Sequence, residues 1–154
     1  MIENEEIILK RKNKFKNEEE IKNYVTKNRY FSTWNENVKK EYQKNCFKKV
    51  VEGGEEFYTL KCHPKFELNT FKNSSKFDFW DQFGLVDTER LVFLYSERKD
   101  EFGKNYSEKM FSLFNSKKKS ISMVPFSTHV IPYEYPEYIS ELVLRLVNES
   151  NSKL

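Results

Sequence analysis

The sequence predicts an α/β protein in which a mainly helical N-terminal half precedes the C-terminal part of a largely parallel sheet. Three observations predict it. Leu91-Val92-Phe93-Leu94-Tyr95 is an unbroken apolar run, the pattern of a strand buried on both faces of a parallel sheet. Tyr106, Met110, Phe111 and Phe114 then mark a helix, and Ile121 to Phe126 reads as a further strand, which gives a β-α-β order. Finally, Ile139, Leu142, Val143, Leu146 and Val147 recur at i, i+3, i+4, i+7 and i+8 behind Pro136, as an amphipathic helix packing on a sheet face does.

Upstream, residues 1–16 are dominated by charge around Lys10-Arg11-Lys12-Asn13-Lys14 and read as a solvated arm or the frayed start of a helix. Asn17 with Glu20 forms a capping-box pattern, and Ile21, Tyr24 and Val25 follow at helical spacing, so a helix is expected over 18–28. Asn35 caps a second helix whose stripe is Val38, Tyr42, Cys46 and Val50, ended by Gly53-Gly54. Phe57 to Cys62 alternates like a short strand. Pro64 opens a helix with Phe66 and Phe71, Asn73-Ser74-Ser75 is a loop, and Phe77, Phe79, Trp80 and Phe83 cluster on a short helix. Downstream, Lys117-Lys118-Lys119 suits the C-terminal end of the helix that begins near Tyr106. The resulting division is an arm at 1–16, a helical region at 17–88, strands and helices of a core at 89–149, and a tail at 150–154. Two parallel strands cannot cover themselves, so the C-terminal half reads as incomplete alone.

Composition narrows the function classes. Lys+Arg 27 against Asp+Glu 24 leaves a net charge of +3, too mild and too dispersed to specify an anionic partner, and no nucleic-acid-binding module accompanies the basic N-terminal stretch. With 14 Phe and 9 Tyr the chain can bury much area per residue. Cys46 and Cys62 lack a zinc spacing and do not form a disulfide framework, and no cofactor motif is present. No apolar run reaches the roughly 20 residues that span a bilayer, and the acidic start Met-Ile-Glu-Asn-Glu-Glu is unlike a signal peptide. The only four glycines, Gly53, Gly54, Gly84 and Gly103, supply neither a phosphate loop nor Gly-x-Ser-x-Gly.

The segment Val124-Pro125-Phe126-Ser127-Thr128-His129-Val130-Ile131-Pro132-Tyr133-Glu134-Tyr135-Pro136-Glu137 resembles the end of an α/β-hydrolase, where a last strand leads into a catalytic histidine loop and a Pro-Glu helix start. Phe31-Ser32-Thr33-Trp34-Asn35, the Gly-Gly turn and Leu60-Lys61-Cys62-His63-Pro64-Lys65-Phe66-Glu67 are similar to the lid of the same family, particularly its fungal peroxisomal lipase-type members. The resemblance covers most of residues 10–148 and makes Leu91–Tyr95 the penultimate core strand.

That resemblance implies His129 as the general base of a serine hydrolase, delivered by a loop at the carboxyl end of a strand. The catalytic acid has two possible sources: the loop after Leu91–Tyr95, where Asp100 is the best candidate beside Glu97 and Glu101, or an earlier strand that precedes the lid. His63 lies in the lid region and reads as a structural or surface residue. The nucleophile elbow precedes the lid in the family, and nothing in this chain fits it, so these 154 residues are expected to be inactive by themselves. The ending Ser152-Lys153-Leu154 is a peroxisomal targeting signal, read by an import receptor. The expected function is a peroxisomal serine hydrolase of carboxylic esters, acyl-lipid esters among them, with the aromatic lid forming the substrate pocket. The alternative is a non-catalytic truncated product or a partner that complements a hydrolase fragment.

Overall fold

The computed structural model describes residues 3–74, 80–98 and 104–151, and the chain divides into two units, Met1–Phe77 and Asp78–Leu154. The units part upstream of the division at residue 88 read from the sequence.

The first unit contains α1 (Glu3–Leu9), α2 (Glu18–Lys27), a 3-10 turn at Arg29–Phe31, α3 (Glu36–Asn45), the strands β1 (Phe47–Glu52) and β2 (Glu55–Leu60), and α4 (Pro64–Ser74). Helix α2 starts where its capping pattern predicts: Asn17 Oδ1 accepts the Glu20 N–H at 2.9 Å, and the Glu20 carboxylate reaches back to the Lys16 N–H at 2.5 Å. The Lys12 ammonium, followed by that amide, holds the Glu20 carboxyl below the usual carboxylate range. Asn35 caps α3 by accepting the Asn37 N–H at 2.9 Å. His63 is exposed, and its Nδ1 accepts the Lys65 N–H at 3.2 Å at the start of α4.

Helix α3 is shorter than its apolar stripe predicts. It ends at Asn45, and Val50 belongs to β1, which pairs antiparallel with β2 from Phe47↔Leu60 to Glu52↔Glu55. Gly53-Gly54 is therefore a hairpin turn and not a helix stop. Both glycines have positive φ, 61° and 84°, the conformation that two-residue hairpins require and L side chains rarely adopt. The β-branched pair Val50-Val51 favours the strand.

The N-terminal stretch is less solvated than its charge implies. Phe15 is 0% exposed and exchanges two backbone hydrogen bonds with Tyr58, at 2.9 and 2.7 Å. Asn13 Oδ1 accepts the Leu60 N–H and the Thr59 hydroxyl, and Arg11 pairs with Glu67 at 2.5 Å. Phe15 packs with Ile21, Phe47 and Leu60, and its ring meets Tyr24 and Phe47 edge-on at 5.1 and 5.2 Å. From there the aromatic contacts continue through Tyr42 and Phe31 to Trp34. Each such pair adds roughly 0.5–1.5 kcal/mol beyond burial.

The second unit consists of α5 (Trp80–Phe83), β3 (Asp87–Ser96), α6 (Lys104–Leu113), β4 (Asn115–Val124), α7 (Ile131–Glu134) and α8 (Pro136–Asn151). β3 and β4 pair in parallel, in register from Asp87↔Asn115 to Ser96↔Val124, with α6 as the crossover. This is the expected β-α-β order. Phe93 packs its ring near Phe111 and Phe114, which fixes α6 to one face of the pair.

Three expectations are corrected in this unit. Lys117, Lys118 and Lys119 lie in β4, not at the end of α6. Lys119 nonetheless serves that end, its ammonium donating to the carbonyl oxygens of Phe111 at 3.4 Å and Phe114 at 3.1 Å. Leu91–Tyr95 is half-buried rather than buried on both faces, as two strands alone leave it. On α8, Leu142 is buried with Ile139 and Leu146 half-buried, while Val143 and Val147 are exposed, so only part of the apolar stripe is covered.

Burial pushes the Tyr42 phenol well above its ordinary value of 10.0 and raises Tyr24 as well. A raised folded-state pKa favours the neutral phenol, so this stabilisation is fully present below pH 10.0 and is lost as pH rises above it. The first unit should therefore unfold in alkali as its tyrosines ionise, and Tyr42→Phe should move that transition to higher pH. Tyrosinate absorbance followed together with near-UV circular dichroism checks it.

Candidate functional site

Parallel pairing makes β3 and β4 end on the same edge, at Ser96 and Val124. The loops leaving that edge are bonded to each other. Glu97, directly after β3, accepts the Phe126 N–H through Oε2 at 2.6 Å, and the Arg98 N–H donates to the Ser127 carbonyl oxygen at 3.3 Å.

Phe126 has φ 59°, the sole positive value for a non-glycine residue among those described. That conformation costs a side-chain-bearing residue about 1–2 kcal/mol. It reverses the chain immediately after β4. Ser127, fully buried, closes the reversal by donating its hydroxyl to the Val124 carbonyl oxygen at 2.7 Å. The next residue, Thr128, donates both its N–H and its hydroxyl to the Glu134 carboxylate, at 2.7 and 2.9 Å. Glu134 is 8% exposed and ends α7, whose turn is closed by the Tyr133 N–H and the Glu134 N–H donating to the Val130 carbonyl oxygen.

His129 follows Thr128 and borders a pocket of about 300 Å³ within the second unit. Phe93 and Tyr95 of β3, Tyr106 and Met110 of α6 and Ile131 of α7 supply its wall. An imidazole is a side chain that can exchange protons near neutral pH, and here it lines a largely apolar pocket on a strand-end loop. Two buried serines, Ser96 and Ser107, line the same space.

Of the site residues predicted from sequence, His129 lies at this strand-end edge, and Glu97 is tied to the same turn through Phe126. Asp100 and Glu101 lie outside the described residues, as do Ser152, Lys153 and Leu154. Sequence reasoning missed Glu134. Its spacing from Thr128 was visible, but its burial, the one signal that separates it from the many solvated glutamates here, was not. Among the described residues no group of three His, Cys, Asp or Glu side chains is arranged to hold a metal ion, and no helix is long and apolar enough to cross a membrane.

No family model matches the chain, and no curated protein matches it. Among solved structures it is similar to the peroxisomal alpha-beta-hydrolase Lpx1 of Saccharomyces cerevisiae, with a TM-score of 0.70 at 15% sequence identity. The match covers 99% of this chain and 41% of that protein, so the chain spans about two fifths of the length of its structural relative. At this identity the likeness shows the fold: the chain has a partial α/β-hydrolase fold, as its C-terminal segment implied.

The strained turn carries a stability test. Phe126 is 76% exposed, so little packing is lost on truncation. Phe126→Gly should stabilise the second unit by about 1 kcal/mol, the opposite sign to a glycine in ordinary backbone. Urea unfolding of the two proteins measures the difference.

Proposed function

We propose that this chain contributes the general base of a serine-type carboxylic-ester hydrolase, with His129 as that base and the nucleophile carried by polypeptide outside these 154 residues. The observation that carries the reading is the position of His129: it stands on the loop at the carboxyl end of β4, beside an apolar pocket, in a chain with a partial α/β-hydrolase fold. A serine hydroxyl is a weak nucleophile at neutral pH and needs a neighbouring base to take its proton. Imidazole is suited to the task because it changes charge near physiological pH.

In the proposed mechanism the acyl part of the ester lies against Phe93, Tyr95, Met110 and Ile131. His129 takes the proton of the attacking serine and returns it to the alcohol that leaves. A carboxylate holds the imidazole in one tautomer; Asp100, four residues after Ser96 in sequence, is proposed for that place. No cofactor is needed for this chemistry.

The reading is tested on a polypeptide in which these 154 residues are continuous with a segment bearing Gly-x-Ser-x-Gly, sought first in the DNA upstream of Met1. Such a protein should hydrolyse p-nitrophenyl esters and be inactivated by a fluorophosphonate. His129→Ala should lower kcat by roughly 10³-fold or more. Ester turnover unaffected by that substitution overturns the proposal, and so does stoichiometric fluorophosphonate labelling of the 154-residue chain alone.

The terminal Ser152-Lys153-Leu154 is proposed as a peroxisomal address, read by the import receptor for this signal. The peroxisomal origin of the structural relative favours it. A fluorescent protein fused ahead of Met1 should enter peroxisomes and return to the cytosol when Leu154 is removed; import that survives the deletion contradicts the assignment.

A further inference from the structure

The geometry points to Glu134 as the positioning residue of His129, acting through Thr128. A carboxylate that is 8% exposed is costly to keep charged unless it is bonded, and the bonds made by this one are informative. Both of its oxygens are used, Oε2 by the Thr128 N–H at 2.7 Å and Oε1 by the Thr128 hydroxyl at 2.9 Å. The two acceptors therefore grip one residue, six positions back in the chain and directly before His129. Charge-assisted bonds of this kind are about twice as strong as neutral ones, and two on a single residue fix its orientation as well as its place.

The remaining contacts leave the segment little freedom. Phe126 is held through its N–H by Glu97, Ser127 through its carbonyl oxygen by the Arg98 N–H and through its hydroxyl by Val124, and Thr128 by Glu134. Three consecutive residues are thus pinned, and the four holding groups come from three stretches: Glu97 and Arg98 from the loop after β3, Val124 from the end of β4, and Glu134 from α7. Glu134 is the buried ionisable member of this set, and its carboxylate sits at the end of the short helix that the histidine loop runs into. A base must be held within a fraction of an ångström of its working position, and groups behind it do the holding. That this preorganisation serves catalysis rests on the proposed role of His129; that Glu134 orders the loop does not.

The test uses the full 154-residue chain and does not depend on turnover. The Cε1–Hε1 correlations of its two histidines are recorded by NMR and distinguished with His63→Gln, and amide hydrogen exchange is followed across residues 126–130. Glu134→Ala should move the His129 correlation towards that of an unstructured histidine and raise exchange in the loop by about tenfold or more. Exchange in α2 and α3 should stay unchanged. Glu134→Gln, which keeps an acceptor oxygen, should restore much of the native signal. Where Glu134→Ala does not fold, Thr128 decides: Thr128→Val, which loses the hydroxyl donor, should shift the His129 correlation, and Thr128→Ser should return it. A His129 signal and loop exchange indifferent to these changes overturn the inference while leaving the hydrolase reading untouched. Failure of the ester-hydrolysis test, conversely, leaves this inference standing.

Discussion

Parallel pairing of β3 with β4 is the constraint on which the candidate site depends. Antiparallel neighbours would send their exits to opposite edges; parallel ones, linked through α6, bring Ser96 and Val124 out side by side. Glu97 and Arg98 then meet Phe126 and Ser127 as a consequence of register. The turn at Phe126 tolerates positive φ because its amide is held from the neighbouring loop, a local cost sustained by surrounding bonds. His129 inherits its place from that chain of contacts, and the apolar residues of β3 and α6 provide the wall of its pocket.

Much of this was legible before the structure. Periodicity located α2, α6 and α8, and the turn chemistry of Asn17, Asn35 and Pro64 located helix starts, because caps are local and their physics is complete within a few residues. What misled were features whose meaning is set at a distance. The stripe Val38, Tyr42, Cys46, Val50 fits a helix as a pattern, yet the residues after Asn45 gain more by pairing with Glu55–Leu60 across Gly53-Gly54. Phe15 has eight basic and acidic residues within five positions in sequence, and its complete burial follows from pairing with Tyr58, some forty residues away. Lys119 satisfies helix-end carbonyls as its charge implies, but from a strand.

The site divides in the same way. His129 was singled out because the segment 124–137 resembles the end of an α/β-hydrolase, and the strand end and helix start expected on either side of it are where the structure has β4 and α8. Glu134 lies inside that motif and was passed over, since nothing in a sequence distinguishes a carboxylate that will be buried on Thr128 from one that will face water. The half-burial of Leu91–Tyr95 and the exposure of Val143 and Val147 belong to a partial fold: the chain corresponds to 41% of a complete α/β-hydrolase, and strands and helices of that class are ordinarily covered by the rest of the sheet.

The central claim, that His129 is the proton-accepting group of an ester-cleaving centre, is tested most directly by an ester-shaped halomethyl ketone, which alkylates an imidazole held beside a bound acyl group. With the nucleophile-bearing segment joined to this chain, peptide mass mapping should find one equivalent of label on His129, blocked by a competing ester and absent from His63. Modification of both histidines at equal, unprotected rates, or of neither while esterase activity persists, would contradict the account.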